Sequence, residues 1–188
     1  MKLHKGQYGY RDSHRKQQLL WVILFLVAII AQLLARNFTA NSSAKNILTV
    51  MAILTVLPMA NLASPLLAGW RYKTPAEDFH RIMMPYEEKC TILYDLIITS
   101  KEYVMPMDAM AVHPSAVIGY CTNPKVDVKK AEAHLNEMLK GNKLDANARV
   151  FKEETTFLRR LDNLKPAAEY EDDGSLPYAV QLMKNLSM

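Results

Sequence analysis

The chain has 188 residues, 50% of them hydrophobic, with 23 basic and 19 acidic residues and only two cysteines. Seven of the basic residues and one acid precede Trp70, which leaves 16 basic against 18 acidic groups after it, so the positive net charge is no argument for nucleic-acid binding. Two cysteines, Cys90 and Cys121, exclude a disulfide scaffold, and no Cys/His spacing suggests zinc.

Residues 1–17 form a basic polar tail with Lys2, Lys5, Arg11, Arg15 and Lys16 against Asp12. Nothing in their pattern predicts packing, so they are expected to be frayed. Leu19 to Ala35 and Ile47 to Trp70 contain no charged residue. A helix needs about 20 apolar residues to cross roughly 30 Å of hydrocarbon. The second run would rise about 36 Å as a helix, and Trp21, Arg15, Lys16 and Arg36 can anchor the shorter first run at the interfaces. The pattern predicts a transmembrane hairpin over 18–70, with spans at about 19–36 and 47–70. A signal peptide would have a shorter apolar region and a small-residue cleavage site, and no second span would follow.

Basic residues accumulate on the cytoplasmic side of membranes. The tail, with Arg71 and Lys73 after the second span, therefore places both termini in the cytoplasm and residues 37–46 outside. The tail can also meet anionic lipid head groups. In the outer loop, Asn37-Phe38-Thr39 and Asn41-Ser42-Ser43 are glycosylation sequons if the source is eukaryotic. Within the second span, Pro58 and Pro65 predict kinks, and the Asn61 amide is expected to bond to itself locally, to Gln32 or to another subunit. The spans hold no charge that would mark an ion path.

Residues 71–188 read as a cytoplasmic α/β domain. Thr74-Pro75-Ala76-Glu77 predicts a helix start with Thr74 as cap, running to about Met84. Cys90 to Thr99, Glu102 to His113 and Ala116 to Cys121 predict three strands, with turns at Ser100-Lys101 and His113-Pro114-Ser115. Met105, Met107 and Met110 are read as packing residues. Val126 to Lys140 is an amphipathic helix, with Val128, Ala131, Leu135, Met138 and Leu139 on one stripe and Gly141 as its stop. Ala148 to Lys152 is a short strand. Thr155 to Leu164 and Leu176 to Leu186 are helices, separated by the acidic loop Glu169 to Gly174.

The expected fold is thus a two-helix transmembrane hairpin plus an α/β domain, whose mixed sheet has αβββαβ order and is flanked by helices. That order, with the segment from Met107 to Asn123, resembles the nuclease-related domain of the restriction-endonuclease-like superfamily over roughly residues 76–165. In that family an Asp on the second strand and a Glu-x-Lys triplet at the end of the third form the site. The two carboxylates hold a divalent metal and the Lys orients the attacking water. Here Asp108 falls at the first carboxylate, Cys121 at the Glu and Asn123 at the Lys. Cysteine is a poor ligand for magnesium and asparagine carries no charge, so the resemblance implies a degenerate site with no metal or cofactor and no catalytic residue. Lys125 lies two residues further on, and Asp95 and Glu77 are the candidates for a second acid.

Other constellations are weaker. His80, His113 and His134 sit on different elements, and His113-Pro114-Ser115 reads as a turn before it reads as a nucleophile pair. No phosphate-cradling glycine loop or nucleophile elbow occurs. The sequence therefore points to a membrane-anchored, non-catalytic interaction or assembly module. Its expected location is the cell membrane of a bacterium, and its expected partners are the lipid bilayer and other membrane proteins or a second copy, with no nucleic acid. The alternatives are a membrane-tethered metal-dependent nuclease with an atypical site around Asp108, and a small subunit of a transport or channel complex.

Overall fold

The structure is a computed structural model that describes residues 3–100, 103–170 and 174–188. The chain folds as two compact units. One joins the N-terminal segment through Arg11 to everything from Tyr72 onward, and the other runs from Asp12 to Arg71. The turn expected at Lys101, the strand start expected at Glu102 and the centre of the acidic loop lie outside the described residues.

The second unit is a helical hairpin. Helix α1 spans Tyr10–Phe38 and α2 spans Ser42–Gly69. Asn41 caps α2 by accepting from the Ser43 amide, as a short polar residue does at a helix start. Both helices are long and apolar enough to cross a membrane, and almost nothing in their most apolar stretches is buried by the protein itself. The two meet through Gln32, whose Nε2 lies 3.4 Å from Thr55 Oγ1. Gln32 therefore bonds Thr55 and not Asn61. At one end, the Arg15 guanidinium lies 5.7 Å from the centre of the Trp70 ring and donates to the Trp70 carbonyl.

The first unit is a four-stranded sheet between helices. In chain order come α3 (Glu77–Met83), a 3₁₀ turn (Met84–Glu88), β1 (Thr91–Thr99), β2 (Val104–His113) and β3 (Ala116–Tyr120). Then follow α4 (Val128–Gly141), β4 (Ala148–Phe151), α5 (Glu154–Asp162), a second 3₁₀ turn (Ala167–Glu169) and α6 (Ser175–Leu186). The sheet order is β1-β2-β3-β4; the first two pairings are antiparallel and β3 pairs parallel to β4. A parallel pair needs a crossover, and α4 supplies it. One face of the sheet packs Met107, Met110 and Val117 against Leu135 and Leu139 of α4 and Met183 of α6. The other packs Ala109, Ile118 and Tyr120 against Phe79 of α3 and Phe157 of α5. Tyr120 stacks between those two rings, at 5.0 and 5.2 Å. Met105, Met107 and Met110 are all buried in the core, in keeping with a packing role.

Two expectations need correction. Helix α3 starts later than Thr74: its cap position is Ala76, and the Thr74 hydroxyl donates instead to Asp95 at 2.9 Å. The described part of the tail, from Leu3 on, is also not frayed. The Gly6 carbonyl accepts from the Tyr94 amide at 2.8 Å, Lys5 Nζ donates to the Ser187 carbonyl, and the Tyr8 ring stacks on His80 at 4.2 Å. Gly6 has φ +91°, and a Cβ there would lie 2.9 Å from Leu93 Cδ2, so only glycine fits. The C-terminus binds the same strand, where Met188 donates to the Ile97 carbonyl and Ser187 Oγ accepts from the Ile97 amide. Both terminal segments thus cover the edge of β1, which would otherwise present unpaired backbone groups.

Arg11 completes this clasp. It is 7% exposed, and its guanidinium donates to the main-chain carbonyls of Lys73, Leu96 and Met107 while Nε lies 3.8 Å from the Asp95 carboxylate. Removing one partner of a buried pair leaves the other charge uncompensated, at a cost of about 3–5 kcal/mol. Arg11→Ala should therefore lower the urea concentration at which Cys121, buried in the same unit, becomes open to alkylation. An unchanged midpoint in the detergent-solubilised protein would show that the clasp contributes little.

Candidate functional site

The positions singled out by sequence lie where β1, β2 and the end of β3 meet. The pairs Tyr94↔Ala109 and Leu96↔Met107 flank one rung of the β1–β2 ladder, and Asp95 and Asp108 occupy that rung from opposite strands. Both strands change phase there. Leu93 and Leu96, three residues apart, join the same core cluster, as do Met110 and Met107, whereas Tyr94 and Ala109 face the other core. Regular strands repeat every two residues, so each strand carries one extra step at its aspartate. Asp95 takes that step with φ +60°, a conformation Asp tolerates better than most residues.

The structure thus brings Asp95, one of the two candidate second acids, to the strand position opposite Asp108. Glu77 is not part of the cluster; it sits exposed in the first turn of α3 and pairs with Arg81 at 3.6 Å. Both aspartates are buried residues with hydrogen-bond partners. The Asp95 side chain is fully buried, and its Oδ2 accepts from the Arg11 amide and the Thr74 hydroxyl. Burial pushes its carboxyl above the usual range. The Arg11 charge, the Thr74 hydroxyl and the backbone amides of Arg11 and Gly9 pull the other way without cancelling that effect. Asp108 Oδ2 accepts from both the amide and the hydroxyl of Thr122, each at 2.7 Å.

Of the other two positions, Cys121 follows Tyr120, the partner of Ala109, and so lies beside Asp108, whereas Asn123 makes only local contacts. Cys121 is fully buried, with Sγ 3.9 Å from the Asn123 carbonyl. Burial raises its thiol pKa, the neighbouring Asp108 charge adds to this, and the Asn123 backbone opposes it. Asn123 turns its Oδ1 to the Lys125 amide, which makes a local turn rather than a ligand set. Among the described residues no three His, Cys, Asp or Glu side chains are grouped to hold a metal ion. The cation at this place is Arg11. Sequence reasoning missed it because one arginine among five basic tail residues carries no local signal.

His80 and His113 pack against aromatic rings. His113 is buried, with Nε2 3.0 Å from the Lys165 carbonyl and Nδ1 2.7 Å from Ser115 Oγ. A carbonyl only accepts, so Nε2 carries the proton and Nδ1 accepts from Ser115. Burial lowers the His113 pKa, which keeps the ring neutral in this role. The pair ties the β2–β3 turn to the segment before the second 3₁₀ turn, at one side of a cleft of about 480 Å³ that Val117, Leu139 and Leu176 also line. Comparison with family models, with characterised proteins and with solved structures gives no match for this chain.

Neither cysteine has the environment of a reactive thiol. Burial pushes Cys90 up to about 11, and Cys90 and Cys121 are 3% and 0% exposed. At pH 8 that leaves Cys90 with roughly 10²-fold less thiolate than a free cysteine. Iodoacetamide should therefore modify neither residue on the timescale of its reaction with glutathione, and both should react in denaturant. Rapid modification of the folded protein would contradict this packing.

Proposed function

We propose that the chain is an integral membrane protein whose α1–α2 hairpin spans a bacterial cell membrane and holds the α/β unit at the cytoplasmic face as a non-catalytic interaction or assembly module. The observation that carries this reading is the hairpin surface. Leu20, Leu57 and Leu67 are 66%, 62% and 72% exposed, on helices whose apolar stretches the protein leaves almost wholly uncovered. An apolar surface of this length needs lipid or another apolar partner to leave water. The basic tail, Arg71 and Lys73 support an orientation with both termini in the cytoplasm.

The non-catalytic part of the reading is supported by the Asp108 environment. A metal-dependent nuclease gathers negative ligands around a dication, which then stabilises charge developing on the phosphate. Here the opposing Asp95 is engaged by Arg11 and Thr74, Asp108 is engaged by Thr122, and Cys121 and Asn123 stand at the remaining motif positions. This suits a degenerate member of the restriction-endonuclease-like superfamily that keeps its sheet for binding rather than for chemistry.

Orientation is tested by labelling with a membrane-impermeant maleimide, for which the two buried native cysteines are a quiet background. Ser43→Cys should label from outside intact cells, and Lys129→Cys only after the membrane is opened. The reverse pattern would overturn the orientation, and release of the protein by alkaline carbonate would overturn the membrane span. For the chemistry, the purified full-length protein should not cleave DNA or RNA in magnesium. Cleavage abolished by Asp108→Ala would establish a nuclease instead.

A further inference from the structure

Helix α2 has two opposite faces. Ala52, Thr55, Met59, Leu62 and Leu66 are at least partly covered within the hairpin unit. Val50, Leu54, Leu57, Asn61, Ser64 and Ala68 are all exposed. Their spacing of four, three, four, three and four residues is the repeat by which one helix packs along another. This exposed seam is also the polar side of the span. Asn61 lies about 14 Å along the helix from Trp70, well inside the uncharged run. Gln32, the one strongly polar residue of the first span, is already bonded to Thr55. Among the described residues the Asn61 amide has no hydrogen-bond partner.

The two prolines add to this. Pro58 and Pro65 have no N–H, so the carbonyls of Leu54 and Asn61, four residues before them, lose the donor that a helix normally supplies. Those carbonyls are seven residues apart and therefore lie within about 20° of one another, on the same seam. The seam thus presents main-chain acceptors together with the Asn61 amide, which has two N–H donors and its own acceptor. A polar group facing hydrocarbon is costly unless it is satisfied, and small residues such as Ser64 and Ala68 let a second backbone come close.

We infer that this seam is a self-association surface, on which a second copy of the chain packs its own α2. Across a two-fold axis the Asn61 residues of the two copies meet at one depth, each donating its amide to an oxygen of the other. The surface is complementary to itself because it carries both donor and acceptors at the same level. A single polar residue in an otherwise apolar seam also fixes register and oligomeric state. The inference rests on the membrane-spanning reading of the hairpin.

The test uses the full-length protein in membranes. With Asn61 intact, Leu57→Cys should form a disulfide-linked dimer on oxidation, whereas Met59→Cys on the covered face should not. Energy transfer between labelled copies in lipid vesicles should show dimers, and Asn61→Leu should weaken them about 3- to 30-fold. Asn61→Gln should retain most of the association. A monomeric wild-type protein, a dimer indifferent to Asn61→Leu, or cross-linking of Leu57→Cys only to a different protein would each overturn the self-association surface. Extraction of the protein by alkaline carbonate would instead remove the membrane reading on which it stands.

Discussion

The buried pair of Arg11 and Asp95 is the constraint on which the α/β unit depends. Taking both charges out of water costs several kcal/mol per ion, and their attraction offsets this only when the remaining hydrogen-bonding capacity is used. Here most of it is. The guanidinium reaches three main-chain carbonyls from three separate segments, and the carboxylate collects a hydroxyl and two amides. Such a pair adds little net stability compared with an apolar alternative, but loss of either partner leaves the other charge buried and uncompensated. It places the N-terminal segment against β1, draws Thr74 away from the start of α3 and occupies the point where two strands change phase.

That phase change shapes the candidate site. If β1 and β2 kept a regular two-residue repeat, Leu93 and Leu96 would face opposite sides, and so would Met107 and Met110. The step at Asp95 and Asp108 lets both strands supply large side chains to the α4 and α6 side of the sheet on either side of the kink. Carbonyls at the kink, those of Leu96 and Met107, are the ones that Arg11 satisfies. The two acids are therefore explained by the local backbone. One carries the left-handed step and the other fixes the chain leaving β3 through Thr122.

The hairpin offers its polar groups fewer partners. In the α/β unit a polar group can be buried with a partner brought from far along the chain. Between two helices the choice is narrow, and Gln32 takes the Thr55 hydroxyl across the hairpin. The Thr55 hydroxyl itself donates to the Met51 carbonyl, so both of its partners lie within the unit. The polar groups that remain on α2 are on the opposite face, where the two prolines also free their carbonyls.

Features that depend on local period were legible from the residues alone. The long apolar runs, the three strands between Thr91 and Tyr120, the α4 stripe and the last two helices follow from hydrophobic spacing, because burial of one face is what makes each element stable. Asp108 was also legible as an acid among apolar strand residues. What local pattern could not supply is any feature made by segments distant in sequence. The packing of Gly6, Tyr8 and Arg11 on β1 pairs residues more than 80 positions apart in the case of Arg11 and Asp95. The φ of Asp95, the loss of Thr74 as a cap and the choice of Thr55 over Asn61 by Gln32 have the same origin. In each, the energy of satisfying a buried polar group overrides the local preference, and which partner is near enough to satisfy it is decided only when the chain is folded.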